Sequence, residues 1–298
     1  MGSINQEATR NFYSSPYLAE HYDLLCANEG AFYKDIDVFW TELNRVRELK
    51  RTKGEDPDQL VVVDVGTGTG RALDGLVKCA KENEVDLSRC KFVGFDLSQD
   101  MVDRAAKTRN MSAVGTTIWH CASAVDLDRV MAAYNIEQRV DLILFADGGF
   151  LHLEEQEEAQ KFLQCLQKVA LQPGTGRACI SITNQNSVQD GKDLNFIDSS
   201  GAVQEYKSVE YPGLLYRNSF VSSTKQGASQ IMTSRFEVLR TKENGDHELI
   251  ETHLSELRGR AWKDSEVADL IAGTEGLETR DVIQPDSLQT FFIVSREA

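Results

Sequence analysis

Asp64, Gly66, Gly68 and Gly70 stand together in LVVVDVGTGTGRAL, residues 60–73, where an apolar run meets an acidic residue and then three alternating glycines. A glycine turn between a strand and a helix lets backbone N–H groups approach a ligand closely, because no Cβ stands in the way. Dinucleotide loops space their glycines as G-x-G-x-x-G and set the helix N-terminus against a pyrophosphate. Here the pattern is G-x-G-x-G, with Arg71 where the dinucleotide loop wants its third glycine. Asp64 lies two residues before the first glycine. A carboxylate there repels a pyrophosphate and suits a cation, such as an amino acid's ammonium or a sulfonium. A second carboxylate, Asp96, ends the next apolar run in FVGFDLSQDM, where it can accept hydrogen bonds from both hydroxyls of a ribose.

Candidate acids and bases are few, because the chain has five histidines. His152 in GGFLHL and Asp147 just before it follow an apolar run, at the end of the sheet where ligands bind in doubly wound folds. His152 can act as a base and Asp147 can orient an amine or accept a proton; the plainer readings are a packing histidine at a helix start and a turn residue beside Gly148-Gly149. Glu251, His253 and Ser255 alternate onto one strand face, which lines a substrate site if it turns inward; the default is a solvated outward face. Tyr13, Tyr17 and Tyr22 can close over a ligand or pack as core. Arg258 and Arg260 can meet an acidic substrate, with surface ion pairs as the default.

Alternating elements must carry these residues. QLVVVDV, KFVGFDL, AVGTTIWHC, RVDLILFADG and GRACISITN read as five strands, separated by helical patterns. The helices are RALDGLVKCAKENE, SQDMVDRAAKTRN with Ser98 as cap, DLDRVMAAYN, and a long LEEQEEAQKFLQCLQKVALQPG ended by Pro173-Gly174. The order predicts a doubly wound, Rossmann-like α/β sheet. Residues 185–203 read as a loop, and alternating segments up to residue 260, with an Asn244-Gly245 hairpin turn, predict an inserted antiparallel β cover. DSEVADLIAG is a helix capped by Asp264 or Ser265 and stopped by Gly273; two strands close the chain. One domain over 1–298 is the simplest division: a helical N-terminal cover over 1–58, a cofactor-binding core over 59–184, a substrate cover over 185–260, and a closing helix and hairpin over 261–298.

The bulk properties narrow the partners. A net charge of −15 argues against nucleic acid; the densest basic run, RVRELKR at 45–51, reads as a helix's polar face. None of the six cysteines forms a C-x-x-C pair, and apolar neighbours surround most of them. The N-terminus lacks the apolar stretch of a signal peptide and no run reaches membrane-spanning length, so a cytoplasmic protein is expected.

Three motifs in order, VVVDVGTGTGRAL, FVGFDLSQDMVDRA and VDLILFADGGFLHL…LQPG, resemble the class I S-adenosylmethionine-dependent methyltransferases over residues 59–184. The resemblance implies a seven-stranded sheet with its last strand antiparallel. It implies that Asp64 and the backbone of Gly66, Thr67 and Gly68 surround the methionine part, and that Asp96 holds the ribose. It sets Leu97 and Met101 against the adenine. Ser123, with Ala122 and Ala124, then occupies the position facing the adenine amino group; Asp126 is a substitute candidate or a helix cap. Phe145, Ala146 and Asp147 come beside the reacting methyl, and Tyr22, in a Tyr-Asp pair, closes over the cofactor. The final third is similar in arrangement to sugar N-methyltransferases and glycine N-methyltransferase, with Gly276-Leu277 where that family often has Gly-Phe.

The resemblance further implies transfer from S-adenosyl-L-methionine to N, O, S or C of a small molecule, leaving S-adenosyl-L-homocysteine, by a monomer or homodimer. Asp147 has no downstream carboxylate pattern of the kind metal-dependent O-methyltransferases carry, so metal-independent transfer is expected. A protein of the same fold that binds the cofactor without methyl transfer, as a regulatory subunit or for a cyclisation, is the alternative. No Asn/Asp-Pro-Pro-Tyr/Phe motif of base-amino methyltransferases follows the fourth strand, where the residues are ADGGF.

Overall fold

The computed structural model describes residues 9–11, 15–29, 34–183, 203–287 and 289–297. Tyr13 and residues 185–202 of the expected loop lie outside them. The predicted runs form five strands of a seven-stranded sheet, β2 (Val61–Val65), β3 (Lys91–Asp96), β4 (Thr116–Cys121), β5 (Leu142–Phe145) and β6 (Arg177–Thr183), completed by β11 (Leu277–Ile283) and β12 (Gln289–Arg296). The order across the sheet is β11-β12-β6-β5-β2-β3-β4. Strands β2 to β6 pair in parallel, and the last strand, β12, runs antiparallel to both β6 and β11.

Both faces of this sheet's inner strands are buried. One is covered by α2 (Lys34–Thr52) and α3 (Arg71–Glu82), through Phe39, Leu43, Val46, Leu73 and Leu76. The other is covered by α5 (Leu127–Ala133), α6 (Gln156–Cys165) and α7 (Asp264–Ala272), through Met131, Phe162, Leu163, Val267 and Ile271. Helix α4 (Gln99–Thr108) connects β3 to β4. Helices on both faces explain why the strands read as continuous apolar runs.

A second sheet has the order β1-β10-β9-β8-β7. Its strands are β7 (Val203–Lys207), β8 (Leu214–Gln226), β9 (Ser229–Thr241) and β10 (His247–Arg260), joined antiparallel, with β1 (Thr9–Asn11) added parallel to β10. The Asn244-Gly245 turn joins β9 to β10 with Gly245 at φ 87°. Helix α1 (Pro16–Glu29) packs against this sheet: Leu18 meets Tyr216, Phe236 and Val238. Buried Glu20 accepts hydrogen bonds from the Tyr216 and Ser208 hydroxyls and from the N–H groups of Val209 and Glu210.

Several local expectations differ. The long helix stops at Cys165, and a wide π turn, Leu166–Ala170, replaces its last stretch. Val203, expected in the loop, opens β7. The α7 cap is Lys263 rather than Asp264 or Ser265, with Asp264 already helical. Lys50 of the basic run is buried against Asp141 at 2.9 Å, so α2 does not expose that whole run. The β1 pairing has no local signature, because three polar residues become a strand only when an edge is offered to them.

Candidate active site

The glycine loop is a chain of short hydrogen bonds. Thr67 N–H donates to the Phe95 carbonyl at 2.9 Å, which ties the loop to the end of β3. The Thr67 hydroxyl donates to Asp64 Oδ2 at 2.6 Å. Asp64 is 1% exposed, and its Oδ1 has no hydrogen-bond partner among the described residues. Gly66, Gly68 and Gly70 all have positive φ, and a Cβ on Gly70 would meet the Trp119 ring at 2.7 Å. The alternating glycines thus serve a left-handed backbone and one close approach.

Asp96 turns its carboxylate back onto this loop. Its Oδ2 accepts from Gly68 N–H at 2.9 Å and its Oδ1 from Ser98 N–H at 2.8 Å. Ser98 in turn caps α4 by accepting from Met101 N–H. Leu97, between them, is 73% exposed, an apolar surface standing open beside a carboxylate. Met101 is buried at 1% exposure, so it packs beneath this edge and has little surface to offer a ring. Ala122, Ser123 and Ala124 are half-buried after β4. The Ser123 hydroxyl accepts from Val125 N–H at 3.4 Å, capping a short 3-10 turn. Asp126 precedes α5 without a side-chain capping bond and pairs with Arg129 at 3.0 Å.

At the end of β5, Phe145 is buried and lies under Gly66 and Gly149. Ala146 and Asp147 are half-buried. Asp147 has φ 50°, a left-handed conformation that costs a non-glycine residue about 1–3 kcal/mol where the surroundings impose it. Ser181, which no sequence pattern marks, holds this turn: it accepts from Gly148 N–H at 2.8 Å and donates to the Phe145 carbonyl at 2.9 Å.

The N-terminal helix completes the arrangement. Tyr22 OH donates to Asp147 Oδ2 at 2.9 Å, and its ring lies 3.8 Å from where a Gly68 Cβ would stand. Next to it, Asp23 binds the Thr69 hydroxyl at 2.6 Å, Arg104 at 2.5 Å and Arg109 at 2.5 Å. Asp35 of α2 is bound by two nitrogens of Arg71, at 3.0 and 2.5 Å. No motif marks these anchors; their only signal in the sequence is the presence of acidic residues inside an aromatic, helix-like segment.

His152 Nδ1 is 2.9 Å from the Arg258 carbonyl. A carbonyl only accepts, so Nδ1 carries the proton and Nε2 of the neutral ring carries the lone pair. The ring is reached by solvent yet stands among many protein atoms, as a cleft wall does. Desolvation pushes its pKa below the usual histidine value, against the opposite pull of the Arg258 carbonyl, Asp96, Glu154 and Asp147. His152 is therefore neutral at neutral pH, and its neighbours put it on the side of Asp147 and Asp96.

His253 and Ser255 depart from the solvated-face expectation: each is 1% exposed and turned inward, with Glu251 3.3 Å from the His253 ring. Period-2 alternation groups these residues but does not say which way the face turns. Tyr17 packs edge-on against Tyr211 in the turn between β7 and β8. Arg258 pairs with Glu256 at 3.0 Å, and Arg260 stacks over Trp262 at 4.1 Å and pairs with Glu266 at 3.7 Å. Among the described residues, no group of three or more His, Cys, Asp and Glu is placed to hold a metal, and no helix is long and apolar enough to cross a membrane.

Burial pushes the Asp64 pKa up to about 7, with the Thr67 hydroxyl and Arg71 acting in the opposite direction. A carboxyl raised in the folded state favours folding when protonated, so this contribution fades as pH rises from the ordinary carboxylate range through about 7. A bound ammonium reverses the preference, because it pairs with the ionised form. Binding of an ammonium-bearing ligand at Asp64 should strengthen several-fold between pH 6 and 7.5 and release a proton. Calorimetry in buffers of different ionisation enthalpy reads that release; a pH-independent affinity with no proton exchanged would remove Asp64 from the ligand site.

The family profile described as "Methyltransferase domain" matches residues 62–195. The chain is similar to the N-methyltransferase FrzE of a Cladobotryum species, 27% identical over 249 residues covering 83% of this chain and 84% of that one. Among solved structures it is similar to the PH0226 protein of Pyrococcus horikoshii at 12% identity and TM-score 0.45, covering 86% of this chain and 90% of that one. It is also similar to human N-acetylserotonin methyltransferase in complex with SAM at 11% identity and TM-score 0.48, covering 96% of this chain and 58% of that one.

Proposed function

We propose that this chain, a class I S-adenosylmethionine-dependent methyltransferase, methylates the nitrogen of a small-molecule amine. One similar protein is named as an N-methyltransferase. The observation that carries the reading is Asp147, held by Tyr22 at the end of β5, with a neutral His152 five residues on that feels its charge.

The residues present fit the cofactor. The unpartnered Oδ1 of buried Asp64 suits the ammonium of its methionine part. Asp96 suits the ribose hydroxyls, and exposed Leu97 a flat adenine face. When bound, S-adenosyl-L-methionine supplies an activated methyl group, so the protein's task is alignment in a water-poor site. An amine arrives at neutral pH largely as ammonium and is nucleophilic only after losing a proton. The Asp147 carboxylate attracts and orients the ammonium, and His152 Nε2 accepts its proton. Tyr22 keeps Asp147 Oδ2 fixed and closes the α1 side of the site. A neutral amine needs no metal to become reactive, and we read the transfer as metal-independent. The acidic surface favours a small acceptor over nucleic acid.

A labelled methyl donor offered with panels of amines, phenols and thiols tests this reading; methylation of phenols or thiols with amines untouched would overturn it. Asp147→Asn should lower kcat about 10- to 100-fold with cofactor affinity nearly unchanged. Tyr22→Phe should lower it less, because the carboxylate remains. A loss confined to cofactor affinity would move Asp147 out of the acceptor site.

A further inference from the structure

The inner face of the second sheet carries polar side chains where a lid would ordinarily be apolar. Its pairing register aligns Asn218, Phe236 and His253 in one row across β8, β9 and β10, and Phe220, Ser234 and Ser255 in the next. A third row beyond the first holds Tyr216, Val238 and Glu251. Helix α1 lies against this face, with the His21 ring edge-on to Phe236 and Tyr206, both at 5.4 Å between centroids. Ser255 Oγ, Asn218 Oδ1 and both ring nitrogens of His21 are buried without a hydrogen-bond partner among the described residues. Native interiors rarely leave so many polar atoms unsatisfied in one place. The cluster lies near the candidate active site: Ser255 is three residues along β10 from Arg258, whose carbonyl holds His152, a distance of about 10 Å.

We propose that these rows form the acceptor's recognition site and that they select a neutral, hydroxyl-bearing aromatic ring carried by the amine. The proposal rests on the amine-methyltransferase reading and adds the chemistry of the distal part of the substrate. Half-buried Phe220 supplies a flat apolar wall, and fully buried Phe236 backs the rows from within. Two strand spacings, about 10 Å, separate Asn218 from the β10 residues, the span of a ring with a polar group at its edge. Asn218 Oδ1 needs a donor, Ser255 Oγ gives or takes a hydrogen bond, and a ring hydroxyl can serve either. An anionic group is excluded on charge. The three rows hold no Lys or Arg. Burial pushes the His21 pKa down to about 4, so this ring stays neutral, and Glu251 sits 3.3 Å from His253, where it repels a carboxylate.

Calorimetry on the full chain saturated with S-adenosyl-L-homocysteine tests this without requiring turnover. The probes are tyramine, 3-hydroxyphenethylamine, phenethylamine and 3-phenylpropionate. At least one hydroxylated amine should bind about 10-fold or more tightly than phenethylamine, and the carboxylate should bind most weakly. Ser255→Ala and Asn218→Leu, alone and together, should cut that discrimination to about 2-fold or less, mainly by weakening the hydroxylated ligands, while S-adenosyl-L-homocysteine affinity holds. Ser255→Ala removes an unsatisfied hydroxyl, so its melting temperature should not fall, and it carries the test if Asn218→Leu folds poorly. Equal binding of the hydroxylated and plain amines, tighter binding of the carboxylate, or unchanged discrimination in Ser255→Ala would overturn the proposal. Discrimination without any amine methylated would leave the site standing and fell the amine reading; methylation without discrimination would do the reverse.

Discussion

Replacing Arg71 by methionine should destabilise the fold by about 3–5 kcal/mol. Arg71 binds Asp35 through two nitrogens, and both side chains are largely out of solvent. Removing the guanidinium leaves a carboxylate buried without its compensating charge, and that cost exceeds the net contribution of the intact pair. For a chain of this length the melting temperature should fall by roughly 6–10 °C. The variant should also acquire a pH signature. Burial already pushes the Asp35 pKa up, with Arg71 opposing it. Without Arg71 the folded-state pKa rises further above the unfolded one. Stability lost at neutral pH then returns as pH falls toward 5, where a proton takes over from the guanidinium. Thermal melts at pH 5 and 7.5 measure both effects. The double variant Asp35→Leu, Arg71→Met should recover most of the loss, since an apolar pair of similar volume has no charge to strand. A single variant that melts within 2 °C of the parent at pH 7.5 would show that this pair does not hold α2 against the cofactor loop.

Asp96→Ala should weaken S-adenosyl-L-methionine binding about 100- to 1,000-fold, roughly 3–4 kcal/mol. Two losses combine. The ribose hydroxyls lose a charged acceptor, and the loop loses the carboxylate that accepts from Gly68 and Ser98. Asp96→Asn should fall between, because its amide oxygen still accepts one N–H while its NH2 faces the other donor. Calorimetry with the methyl donor and with S-adenosyl-L-homocysteine checks the order. Parent-like affinity in the alanine variant would assign Asp96 to loop structure alone.

The two variants probe features of different legibility. Asp96 is readable because its neighbourhood is local: an apolar strand, a carboxylate at its end, a capping serine, and a helix. The same holds for the glycine loop, where positive φ restricts the residue type at Gly66, Gly68 and Gly70. Arg71 is legible only as a misfit to the dinucleotide pattern, and its partner 36 residues earlier is not. The turn at Asn244-Gly245 is readable for the same reason as the loop. Cap residues and the end of α6 are less so, since Lys263 caps where Asp264 or Ser265 has the better intrinsic propensity, and the π turn after Cys165 answers to packing.

The sequence alone determined the doubly wound order and the antiparallel insertion, and it motivated the proposal of a cofactor loop suited to a cation rather than a pyrophosphate. Each of these rests on short-range periodicity, backbone restriction or charge, which residue types report directly. The tertiary structure decided which residues meet at the site. Tyr22 reaches Asp147 across 125 residues, and Glu20 reaches Tyr216 across 196. His152 takes its tautomer from the carbonyl of Arg258, 106 residues away. The facing of β10 was likewise decided there, burying His253 and Ser255 where alternation allowed either side. Such contacts depend on how the N-terminal helix and the second sheet close over the core, and a hydroxyl or imidazole carries no local mark of the partner that closure will bring to it.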